Sequence, residues 1–176
     1  MEKIISNGNV YYYHNGKIYD EHFIEAPTGE AYDVLVDYYK TIDYKSLNEG
    51  ELVEFIKNLK NSGFYTNCIN ACLYGLQISS ADFDRTAYPI ISSCYRLSGS
   101  PQKAIDFYKE HRNDPNCHNN PAMITSLAAA YCDIGDLESA EKHKSRAFAI
   151  TYARDLTPDP ELINLASRIR GLKGEK

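Results

Sequence analysis

Gly63, Gly99 and Gly135 recur at a spacing of 36 residues, and each separates two stretches whose apolar residues return at helical intervals. Before Gly135, Ile124, Leu127, Ala128 and Tyr131 share one helical face; after it, Leu137, Ala140 and Ala147 share another. One period earlier, Tyr88, Ile91, Ser92 and Tyr95 occupy the first set of places and Ala104 stands for Ala140. One period earlier again, Phe55, Ile56 and Leu59 precede Gly63 and Cys68 follows it. Glycine takes the positive φ that ends a helix, and Asp136 lies beside the start of the next helix, where a carboxylate is favoured. A fixed period in this range predicts stacked helical hairpins, because one hairpin alone leaves its apolar face open.

Residues 122–150 carry Leu127-Ala128, Tyr131, Gly135-Asp136, Ala140 and Ala147, and Tyr95, Gly99, Ala104 and Tyr108 repeat that order upstream. In this pattern the chain resembles the tetratricopeptide repeat family over about residues 48–152. Lys144 stands where the family has an aromatic residue, and the period is longer than the family's. Pentatricopeptide and Sel1-like hairpins share the outline, and an irregular helical bundle is the plainer alternative. The resemblance implies a mostly α fold. It would be an α-α superhelix of three TPR-like hairpins over residues 46–155, closed by a C-terminal cap helix and tail over 156–176.

The first 26 residues differ. Asn7-Gly8 and Asn15-Gly16 are type I′ turn signals between KIIS, VYYYH and KIYDEHFIE, which predicts a small antiparallel β-meander. Val10, Tyr12 and Ile18 are expected on one face, with Tyr11 and Tyr13 opposite. So small a sheet is marginal in water and must cover something, most simply the first helices. Residues 27–45 connect it to the repeats through a helix over 30–42 with Val34, Leu35, Tyr38 and Tyr39 on one side. Further helices are predicted over 51–61, 65–78, 101–111, 121–134, 137–152 and 161–172. Residues 79–85 read as a polar loop, with Thr86 capping a helix whose first turn holds Pro89. Residues 112–121 read as another loop.

Length allows a proper core, and a net charge of −5 means that nucleic-acid binding would need a local basic patch. No apolar run is long enough to span a membrane, and no signal-peptide core precedes the first turn. A cytoplasmic protein is expected. Cys68, Cys72, Cys94 and Cys132 fall in predicted helices and read as small buried hydrophobes; Cys117 falls in a loop and reads as the exposed thiol.

No catalytic constellation stands out. His111, Cys117 and His118 match no strong metal spacing, His118 beside Cys117 makes a poor nucleophile–base pair, and no phosphate loop is present, so neither cofactor nor metal is expected. Tyr88, Tyr95, Tyr108 and Tyr131 read as repeat packing. The expected role is a non-enzymatic scaffold or adaptor for a protein or peptide partner. The resemblance places its groove on Glu54, Lys57, Lys60, Asn61, Ser93, Arg96, Thr125, Ser126 and Asp133, with Lys57, Lys60 and Arg96 as a cationic patch for a carboxylate. The alternatives are a homodimer formed through residues 1–26 and a small secretion-type chaperone.

Overall fold

A computed structural model describes residues 1–14 and 16–174. Asn15, half of the second expected turn, and Glu175 and Lys176 of the tail lie outside the described residues. The chain is mostly helical with one three-stranded sheet, and it forms two compact units, Met1–Phe64 and Tyr65–Lys176.

In the first unit, β1 (Glu2–Ser6), β2 (Asn9–His14) and β3 (Lys17–Tyr19) form an antiparallel meander in that order. Asn7 and Gly8 have φ of 51° and 81°, the paired left-handed values of a type I′ turn. One expectation about the sheet is corrected. Ile4 pairs with Tyr11 and Ile18 with Tyr13, so Ile18 shares the Tyr11/Tyr13 face and not that of Val10 and Tyr12. Directly opposed residues point to the same side of a sheet, and the His14–Lys17 pairing next to the turn fixes the count. Ile4, Ser6, Tyr11, Tyr13 and Ile18 form the buried face. It lies on α1 (Thr28–Thr41), where Ser6 Oγ donates to Asp37 at 2.9 Å and Tyr11 donates to Glu30 at 2.6 Å. Helix α2 (Glu49–Asn61) opens with a capping box between Asn48 and Glu51 and buries Leu52, Phe55, Ile56 and Leu59. Tyr39 of α1 meets Phe55 and Phe64 edge-on, with ring centres 5.8 and 5.2 Å away.

The second unit contains α3 (Tyr65–Ile78), α4 (Ala81–Leu97), α5 (Pro101–His111), the single turn α6 (Pro115–His118), α7 (Pro121–Asp133), α8 (Leu137–Ala153) and α9 (Pro160–Lys173). Helix α4 lies against α3, α5 and α7, α7 lies against α8, and α9 covers both α7 and α8. The polar loop expected over 79–85 is instead the first turn of α4. Ser80 caps it, Thr86 bonds back to Asp82 inside the helix, and Pro89 sits in the interior. Fully buried Phe83 and Ala87 extend the stripe of Ile91 and Cys94 towards the N-terminus, and that burial outweighs the preference of proline for a first turn. The loop expected over 112–121 likewise contains α6, capped by Asp114.

Pro89 has no N–H for the carbonyl of Arg85, four residues back. Asn120 supplies the missing donor: its Nδ2 reaches Arg85 O at 2.7 Å. Its Oδ1 meanwhile accepts the backbone N–H groups of Ala122 and Met123 and caps α7. One buried carboxamide thus repairs α4 and starts α7.

The periodic glycines end their helices in the same way. Gly63, Gly99 and Gly135 have φ of 82°, 79° and 82°. Each donates its N–H to the carbonyl three residues back: Lys60, Arg96 and Cys132. The following residue in each case, Phe64, Ser100 or Asp136, donates to the carbonyl five back: Leu59, Tyr95 or Tyr131. This is a Schellman stop repeated at a period of 36.

Candidate binding surface

The residues expected in the groove divide between the units. Helix α2 of the first unit carries Glu54, Lys57 and Asn61 exposed and Lys60 half-buried. Helices α4 and α7 of the second carry Ser93, Arg96, Thr125, Ser126 and Asp133.

Three of these differ from a solvated groove. Ser93, Thr125 and Ser126 are buried, at 7, 5 and 4% exposure. Ser126 donates to Ser92 at 2.8 Å and lies 3.4 Å from Ser93, while Thr125 bonds the carbonyl of Pro121. The reason is close packing: α4 lies directly on α7, and small hydroxyl side chains at helical spacing let the two backbones approach. Residue type alone points such side chains to water, whereas the helix contact turns them inward.

Arg96 is not a free cation. Its Nε donates to Asp133 Oδ2 at 2.8 Å, and Arg168 of α9 donates from Nη1 to Asp133 Oδ1 at 2.7 Å. Each carboxylate oxygen therefore serves a different guanidinium, and the cluster keeps one net positive charge. The Arg96 and Asp133 side chains are 20 and 22% exposed and that of Arg168 is 45% exposed, so the network meets solvent through Arg168. Its bond to Asp133 fixes the Arg168 proton more firmly than usual. Burial raises the adjacent Cys132 thiol, although Arg168 and Arg96 pull the other way. Nothing local in the sequence marks Arg168 as part of this surface; α9 brings it there from 35 positions downstream of Asp133.

The expected exposed thiol is also corrected. Cys117 is fully buried in α6, and burial, with the Asp114 carboxylate second, pushes its thiol up to about 12. His118 is turned to Arg146, whose guanidinium donates to the His118 carbonyl at 2.8 Å. His111 packs its ring on Phe107, 4.5 Å away between centres. Among the described residues, no three His, Cys, Asp or Glu side chains converge as metal ligands, and no helix is long and apolar enough to cross a membrane. Tyr88 and Tyr95 pack on Phe107 and Tyr131 stacks on His143, so these rings are engaged within the unit.

The arrangement suits reversible recognition of an anion. A carboxylate arriving at Arg168 competes with Asp133 for guanidinium donors already held in place, a charge-assisted exchange with little reorganisation. No protein-family model matches the sequence, and no curated protein matches it.

Proposed function

We propose that this chain is a non-enzymatic interaction protein whose helical hairpins stack as a TPR-like superhelical array and hold a segment of a partner protein. The observation that carries this reading is the helix stop repeated at one period with the same bonds at Gly63, Gly99 and Gly135. Arrays of this kind present long helix-lined surfaces, and that suits an extended peptide or a helix. In the second unit the contact point is the Arg96–Asp133–Arg168 network, and the favoured partner group is an acidic side chain or a peptide C-terminus. Lys57 and Lys60 provide positive charge on the first unit. A cytoplasmic location belongs to the same reading, favoured by five buried cysteine thiols.

The test is selection from an unbiased peptide library with the full chain, followed by the Arg168→Glu variant. Selected peptides are expected to be acidic or to require a free C-terminus. Their affinity should fall by about tenfold or more in the variant, the scale of one charge-assisted contact, while far-UV circular dichroism stays unchanged. Peptides that bind the variant as tightly as wild type would remove the network from the recognition surface.

A further inference from the structure

A second cationic feature lies at the other end of α4. Arg85 and Arg96 are 11 positions apart on that helix, about 16 Å at the helical rise. Beside Arg85 is an open cleft of about 400 Å³ whose lining includes Arg85, Arg154, Asn116, Asn119 and Asn120. Among the described residues, the lining contains two guanidiniums and no carboxylate. Pro115 and Pro121 form stiff parts of its wall.

These groups are unequally committed. Asn120 is held by Arg85 O and the α7 cap. Arg85 is held in place by Asn116 Oδ1, 3.4 Å from its Nε, and by Asp82, which stands outside the lining at 3.4 Å from Nη2. Arg154 makes no ion pair among the described residues. The amide N–H groups of Asn116 and Asn119 add neutral donors. An occupant must therefore be an acceptor, small enough for two arginines to reach together and close to two negative charges. A phosphate monoester meets that description, with a charge of about −1.5 to −2 at neutral pH and three acceptor oxygens; a carboxylate supplies half the charge. The cleft is also larger than a bare oxyanion and leaves room for the group that carries the phosphate.

We propose that this cleft is a phosphate-monoester site in which Arg85 and Arg154 clamp the phosphoryl oxygens and Asn116 and Asn119 donate to them. The site is independent of the peptide surface at Arg96.

The experiment follows ¹⁵N–¹H spectra of the full chain during titration with inorganic phosphate at constant ionic strength. Glycerol 3-phosphate and N-acetyl-phosphoserine amide run in parallel to separate a metabolite source from a phosphorylated-protein source. Saturable shifts are expected at Asn116, Asn119 and the Arg85 and Arg154 side chains, with a dissociation constant in the range of about 1–10 mM for phosphate, a few kcal/mol of binding. Arg154→Gln should weaken binding about tenfold or more, and Lys103→Gln, an equal loss of charge at an exposed position outside the lining, should leave it unchanged. Arg85→Gln provides the same reading should Arg154→Gln fail to fold. Shifts that sodium chloride reproduces, shifts that persist in both cleft variants, or no saturation by about 50 mM phosphate would each overturn the site.

Discussion

Removing the Asn120 side chain should damage two helices at once, and a mutant cycle can separate the two effects. Asn120 is 8% exposed, caps α7 through Oδ1 and satisfies Arg85 O through Nδ2 at 2.7 Å. Loss of an N-cap costs about 1 kcal/mol. An abandoned, partly buried carbonyl costs about 1–3 kcal/mol, and the low end applies because the neighbouring cleft admits water. Asn120→Ala should therefore lose about 2 kcal/mol. Asn120→Ser keeps a capping oxygen but cannot reach Arg85, and should lose about 1 kcal/mol. Pro89→Ala restores a backbone N–H to Arg85 O, so in that background the serine substitution should cost almost nothing. The coupling between positions 89 and 120 is then about 1 kcal/mol, and unfolded-state effects of removing proline cancel within the cycle. Urea unfolding of wild type, both single variants and the double variant measures it. Additive effects, with coupling below about 0.3 kcal/mol, would show that the carboxamide does not compensate for Pro89.

The helix stops make a paired prediction. Gly135→Ala should destabilise by about 1–2 kcal/mol through backbone strain alone, since an added Cβ would have nothing within 4 Å. Asp155 holds φ 53° at the end of α8, where its N–H donates to Tyr152 O and that of Leu156 to Thr151 O, so Asp155→Gly should stabilise, by less than the Gly135→Ala loss because aspartate tolerates this region better than alanine; equal melting temperatures for both variants would contradict this. His143 stacks on Tyr131 with its buried Nδ1 unpartnered, and burial lowers its pKa, helped by Arg146 and Lys142 against Asp136. A base with a depressed folded pKa binds fewer protons folded than unfolded. Its contribution is therefore complete above the unfolded value of about 6.5 and is lost as pH falls from there through the folded value. Unfolding midpoints of wild type should drop across that window, and those of His143→Phe should drop less; identical profiles would refute the assignment. All five cysteines are buried thiols, and Cys117 is raised to about 12, so a thiol reagent at pH 8 should label none until denaturant is added. Prompt labelling of Cys117 in the native protein would contradict its position.

Local chemistry made much of the fold legible. The glycine period, the Asn7-Gly8 turn and the prolines at 101 and 160 depend on backbone preferences that act within a few residues, and the structure has the corresponding stops, turn and helix starts. The face of Ile18 was legible too, since pairing of His14 with Lys17 sets Tyr13 opposite Ile18; counting across the strand pair, not alternation along one strand, decides it. Four helical cysteines are buried as their setting implies.

Long-range packing decided the rest. The contact of α4 with α7 turns Ser93 and Ser126 inward. Only burial of Phe83 and Ala87 carries α4 back across Pro89, and only Asn120, 31 residues beyond that proline, makes the result affordable by satisfying Arg85. Arg168 reaches Asp133 because α9 folds over α7, and Arg154 meets Arg85 at one cleft through the same kind of return. Residue type and spacing determine where helices stop and which side is apolar, because those preferences are local free energies. Which polar groups end up facing one another depends on how separate elements stack, and that is settled by burial summed over the whole unit.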